Sequence, residues 1–429
     1  MQMNRLLSAV IRASASVLVV LLSMTNGWAA STETVLYSFA GGSSDGSVPL
    51  AGLVSDKVGH LYGTTSTGGN SNACGIFGGS CGVVFELHRA AGGWTEKVLY
   101  IFQGGADGGT PYGGLVRDAK GNLYGTTFVG GASGNGTVFE LVRGSGGTWT
   151  ETVLYSFAGG TDGAEPRAGL LLKGNTLYGT TSLGGTGTAC GIFGGPCGTV
   201  FQLKRANGVW TESVLYSFGG STDGGLPYGG VVLDKAGNLY GTTSQNGPTG
   251  YGTVFELSPG NSGWTETTLY SFTGGSDGKV SYGGVVLDAH GSLYGTTSQG
   301  GDGGGGTVFQ MKSGSGGWTL TTLHAFTGSP DGNYSEAGLV QKGNAFYGTT
   351  FGGGTGSACG PFGGTPCGTV FKVSRAKNTW NEEIMYSFLG GSDGALPSSG
   401  LIVNQEGNLF GTAAYAGTAG QGVVFEIHP

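Results

Sequence analysis

The strongest constraint on this chain is a repeat. Val-Leu-Tyr-Ser-Phe, or a close variant, begins at Val35, Val98, Val153, Val214, Thr268, Thr322 and Ile384, at intervals of 63, 55, 61, 54, 54 and 62 residues. Each copy leads into a Gly-rich loop ending in Asp-Gly, then a Gly-Leu-Val or Gly-Val-Val run, a Gly-Asn-Leu-Tyr-Gly-Thr-Thr run, a Gly-Thr-Val-Phe-Glu-Leu run and Trp-Thr-Glu-Thr, with local variations. The four runs are short and rich in Val, Leu, Tyr, Phe and Thr, with Gly, Asn or Asp in every gap, so they read as strands joined by turns. No window past the N-terminal segment reads as a helix. In the fourth run Trp94, Glu96, Val98, Tyr100 and Phe102 alternate with Thr95, Lys97, Leu99 and Ile101. Both faces then carry apolar groups and both must be covered. Four-stranded sheets stacked face to face around an axis meet that need, so the expected fold is all-β, a seven-bladed β-propeller of four-stranded antiparallel blades.

The count of runs supplies the closure. The last copy offers only Leu401-Asn404, Asn408-Thr412 and Val423-Ile427, one strand short, while an unpaired fourth run, Glu33-Phe39, stands at the start. The N-terminal strand is expected to complete the last blade and leave no open edge.

Composition agrees once the repeat is known. Gly and Pro number 95 and 12 of 429 residues, a share that would suggest disorder without a period, yet 21 Phe, 18 Tyr and 7 Trp are far too many for a solvated coil. Charged residues make up 10% and the net charge is −7, which removes nucleic acid as a partner.

Arg5 and Arg12 precede the apolar run Val17 to Leu22, followed by Gly27-Trp28-Ala29-Ala30. This is the layout of a secretory signal peptide, residues 1–29, with cleavage expected after Ala29. Residues 30–429 form a single propeller domain, exported to the periplasm or beyond, with no membrane segment after cleavage. No Cys precedes Cys74, so a lipoprotein anchor is not expected. A monomer is expected because the edges are closed.

The unit Gly-Leu-Val-x-Asp, Gly-Asn-Leu-Tyr-Gly-Thr-Thr, Gly-Thr-Val-Phe-Glu-Leu resembles the GloVer tandem repeat of exported bacterial proteins that carry varied C-terminal anchors, over about residues 33–428. The resemblance implies a bacterial, exported repeat protein and no particular activity. No apolar span or basic tail follows the last blade, Val423-Pro429, so an anchored form is not expected.

The six cysteines fall in close pairs, Cys74 and Cys81, Cys190 and Cys197, Cys359 and Cys367, which in an exported chain read as three short-loop disulfides. Metal binding is the rival, disfavoured because no His accompanies any pair. Asp45, Asp107, Asp162, Asp223, Asp277, Asp331 and Asp393 recur once per copy, and sevenfold repetition argues for a structural role, each accepting bonds from nearby backbone N–H groups. Calcium is the alternative, weakened because each loop offers one carboxylate. His60, His88, His290, His324 and His428 are scattered without ligand spacing, and His324 replaces the usual Tyr of its run. No metal, cofactor or catalytic residue is expected.

The position entering the innermost strand does vary between copies, as Leu50, Tyr112, Arg167, Tyr228, Tyr282, Glu336 and Ser398. A blade repeated seven times offers symmetric surface, so discrimination between ligands must come from positions where copies disagree. Tyr112, Arg167, Tyr228, Tyr282 and Glu336 are the expected ligand site, for a glycan or a protein or peptide ligand, on the face carrying the Cys inserts. The loops around Phe77, Phe193 and Phe362 stand next. The functional expectation is a binding or interaction module. The alternatives are a secreted polysaccharide lyase or hydrolase, and a structural cell-surface component.

Overall fold

A computed structural model describes residues 31–74, 79–190, 195–357, 359 and 366–429. The expected signal peptide and the insert residues Phe77, Phe193 and Phe362 lie outside the described residues. The described chain is all-β, in seven four-stranded antiparallel sheets arranged as the blades of a propeller. The first blade runs Val54–Ser55, Leu61–Thr65, Val83–Ala90 and Gly93–Ile101, paired in that order from the axis outward. The last blade comprises Ile402–Val403, Leu409–Ala413 and Val423–His428, and Thr32–Ser38 adds as its outermost strand with Thr32 opposite His428. The ring closes as the strand count required. Among the described residues no helix is long and apolar enough to cross a membrane.

Three repeated contacts join the blades. The Phe that ends each outer strand packs edge-on against the Phe of the third strand of the next blade, as Phe102 does on Phe139 at 5.1 Å and Phe39, from the N-terminal strand, does on Phe85 at 5.1 Å. All seven seams carry such a pair. The first Thr of Gly-Thr-Thr donates its hydroxyl to a backbone carbonyl of the following blade, Thr64 to Gly113, and Thr412 donates to Ala51 at 3.0 Å to close the ring. Nearest the axis the backbones almost touch: a Cβ on Gly52 would lie 2.9 Å from the Gly400 carbonyl oxygen, and one on Gly114 3.1 Å from that of Gly52. Glycine is required here by proximity. The Gly of Gly-Thr-Thr is required for another reason, since a Cβ on Gly63 would stand 2.5 Å from Cζ of the buried Phe85.

One detail departs from the sequence-based expectation. The outer strand does not alternate strictly, because Val84 pairs with Tyr100 and Phe85 with Val98, which leaves Leu99 as a bulge. The same slip occurs in every blade. A bulged residue turns the strand locally, and Leu99 is buried rather than sharing the exposure of Thr95 and Lys97.

The three expected disulfides are present, Cys74–Cys81, Cys190–Cys197 and Cys359–Cys367, with Cα atoms 5.0 to 5.1 Å apart. They close loops on the face where outer strands cross to the next blade.

Candidate functional site

The chain reaches the axis through a hook repeated in every blade. Val48, Thr110, Glu165, Leu226, Val280, Tyr334 and Leu396 all adopt a left-handed backbone with φ of 53 to 60°. Side chains pay for that conformation, so something must hold it. The N–H of Thr110 donates to the Cys81 carbonyl of the preceding blade, and its carbonyl accepts from Phe128 of its own. Equivalent bonds pin the other six. The next residue is buried Pro or Ser, and the one after it is delivered, partly exposed, to the axis.

Those seven delivered residues, Leu50, Tyr112, Arg167, Tyr228, Tyr282, Glu336 and Ser398, line one cavity of about 350 Å³. Residues that precede the innermost strands of all seven blades can meet only around the axis, so this is the axial mouth. The Arg167 guanidinium lies over three rings, 4.5 Å from the centre of Phe128, 4.9 Å from Tyr228 and 5.5 Å from Tyr112. Its carboxylate neighbour Glu165 is 3.7 Å away and partly exposed. Tyr228 and Tyr282 meet edge to face at 5.3 Å. Burial pushes the Tyr112 hydroxyl up despite the opposing charge of Arg167, and pushes Tyr282 up with help from Glu336. Burial also raises the Glu336 carboxyl to about 7. Arg167 Nε and Ser398 Oγ are buried with no hydrogen-bond partner within the protein. Buried polar atoms are usually paired, so these two are open positions for a ligand or solvent oxygen.

Two contributors escaped the sequence reading. Phe128 forms the platform under Arg167. Tyr415 lines a second cavity of about 490 Å³ that shares Leu50 and Tyr112 with the axial mouth and reaches Cys74. Phe128 did leave a signal: it occupies the position after Gly-Thr-Thr where other copies carry Ser66, Ser182, Ser244 and Ser298.

The loop aspartates lie away from this mouth, at the outer part of the seams. Each accepts a backbone N–H at 2.6 to 2.9 Å, as Asp223 does from Gly219 at 2.7 Å. Six also accept the hydroxyl of the outer-strand Tyr, at 2.9 to 3.2 Å: Tyr37, Tyr100, Tyr155, Tyr216, Tyr270 and Tyr386 bond Asp45, Asp107, Asp162, Asp223, Asp277 and Asp393. The seventh, Asp331, meets His324 instead. On the opposite face His60 Nδ1 sits 3.2 Å from Asp56 and 3.4 Å from Glu86.

No curated protein sequence matches the chain. Among solved structures, it is similar to a putative 6-phosphogluconolactonase from Bacteroides uniformis (14% identity, 80% of this chain and 87% of that one, TM-score 0.49). It is also similar to a protein of unknown function from Dyadobacter fermentans (12%, 92% and 97%, 0.44) and to an ulvan lyase of a polysaccharide lyase family (9%, 81% and 78%, 0.38). Likenesses this distant carry nothing about what the chain binds or does. The profile of the Gloeobacter/Verrucomicrobia repeat matches residues 20–193, 78–282 and 187–425, overlapping stretches that follow the blades around the ring, and the chain belongs to that repeat family.

Proposed function

We propose that this protein is an exported, monomeric binding module that takes a saccharide at the axial mouth. The observation that supports this reading is the meeting of all seven non-repeating residues in one cavity, each delivered by a backbone hook that every blade repeats. Three tyrosine rings offer flat amphipathic surfaces for a sugar face, and Arg167, held flat by Phe128, offers directional donors to its oxygens. A glycoside hydrolase usually needs two carboxyl groups across the scissile bond. Among the described residues Glu336 is the one carboxylate lining this cavity and the nearby Glu165 is paired with Arg167, which favours binding over hydrolysis.

The test is a panel of neutral, uronate-bearing and sulfated oligosaccharides, followed by calorimetry on the hits. The double variant Tyr228→Ala with Tyr282→Ala should weaken binding by about 2 kcal/mol or more, the size of a lost anchor. Unchanged affinity in a folded double variant moves the site elsewhere. Release of shortened sugars from any hit would replace the binding reading with an enzymatic one.

A further inference from the structure

The outer parts of the seven seams are variations on one pattern. The Tyr and Asp of one blade face the Glu of Trp-Thr-Glu on the next blade's outer strand, so that Glu96 lies beside Asp45, Glu151 beside Asp107, Glu212 beside Asp162, Glu266 beside Asp223 and Glu33 beside Asp393. Two seams differ in side chain. Leu320 takes the Glu position opposite Asp277, and His324 takes the Tyr position beside Asp331 and Glu382.

The second exchange changes the chemistry. A tyrosine phenol at the other seams is pushed upward by burial and stays protonated, so it donates to Asp and offers a metal nothing at neutral pH. An imidazole nitrogen is a good ligand for zinc and its neighbours. His324 Nε2 lies 3.1 Å from Asp331 Oδ1 and 3.2 Å from Oδ2. One ligand atom from each of His324, Asp331 and Glu382 can be chosen so that all lie within 4.8 Å of one another. Thr327 already donates its N–H and hydroxyl to Asp331 Oδ2, which orients the carboxylate and turns Oδ1 toward His324. Glu382 Oε1 is buried at the same seam with no hydrogen-bond partner, as are the equivalent oxygens of Glu33, Glu96, Glu151 and Glu212, so what sets this seam apart is the imidazole of His324.

We infer that His324, Asp331 and Glu382 bind one divalent transition-metal ion, with zinc the best match, tying two neighbouring blades together at their outer strands. One nitrogen and two carboxylate oxygens suit zinc, whose bonds to such atoms are about 2 Å, and small side-chain movements would draw the three atoms in. Calcium, which takes six or more oxygens, fits less well. The His324 and Asp331 side chains are 22% and 15% exposed, so solvent can reach the remaining coordination position. This departs from the expectation of no metal, because His324 lies far in sequence from Glu382 and only the seam joins them.

The experiment uses tag-free, chelator-treated protein, titrated with Zn²⁺ by calorimetry and with Co²⁺ by visible absorption. The expected result is one ion per chain and a melting temperature that rises with added zinc, since an ion bound only by the folded state stabilises it. His324→Tyr installs the residue used by the other six seams, so it should fold, yet its affinity should fall at least tenfold. Glu382→Gln should also weaken binding, and His60→Ala should leave it intact. No saturable binding by the wild-type chain, or undiminished binding by both His324→Tyr and Glu382→Gln, would overturn the inference.

Discussion

The seams between blades and the axial mouth are built from the same seven repeats and treat them oppositely. At the seams the copies agree: a Phe on a Phe, a Thr hydroxyl on a carbonyl, an Asp under a Tyr or its substitute His. At the mouth they give Leu, Tyr, Arg, Tyr, Tyr, Glu and Ser. A seam contact must fit two blades at once, so a change on one side strands its partner on the other. A mouth residue projects from a hook already held by backbone bonds, so its side chain can change without disturbing the ring. Repetition here carries stability, and divergence is greatest at the surface that the scaffold does not need.

The comparison breaks most severely if the ring is opened. Deleting Thr32–Phe39 removes the outermost strand of the last blade and one member of a Phe pair, and the truncated chain should fail to give a cooperative melt or should aggregate. A wild-type melting temperature in that truncation would show that closure is dispensable. Next in size is Phe218→Ala. Phe218 is fully buried and packs on Phe255 at 5.1 Å, and its loss should lower stability by about 3–5 kcal/mol in a denaturant titration.

A smaller effect sharpens the seam side through pH. Burial first, and then the neighbouring Asp, raise Glu96 to about 8 and Glu33, Glu151 and Glu212 to about 7, from 4.5. Between those limits the folded chain holds protons that the unfolded chain has released. Stability from these groups is therefore present below about pH 4.5 and is lost as pH rises through 7 to 8. The melting temperature should fall between pH 5 and pH 8 and level off above, and Glu96→Gln should reduce the slope. A midpoint that rises over this range would contradict the seam description.

The smallest effect belongs to the mouth. The Tyr228→Ala, Tyr282→Ala double variant loses one edge-to-face pair, worth about 0.5–1.5 kcal/mol beyond its buried area. Its melting temperature should stay much nearer wild type than that of Phe218→Ala. Equal losses would mean that the mouth is part of the scaffold.

Much of the architecture was legible in the sequence because repetition is self-averaging: seven copies of four runs specify the blade, and the mismatch between the first run and the last copy specifies the closure. The close Cys pairs specified the disulfides for a local reason, since few residues separate each pair. The same comparison of copies brought out the seven residues that meet at the axis, because every blade delivers the same position to the same place.

Other features were decided by tertiary structure alone. The bulge at Leu99 follows from fitting a twisted outer strand against its neighbour, which alternation along one strand does not encode. The left-handed hooks at Val48, Thr110 and Leu226 use residues that seldom adopt that backbone, and bonds from two blades hold them there. Phe128 supports Arg167 across a turn between blades, and His324 meets Glu382 only because one blade stacks on the next. A periodic sequence determines what each blade is. Which side chains share a cavity or a seam depends on how one blade faces another, and that relation exists only when the ring is closed.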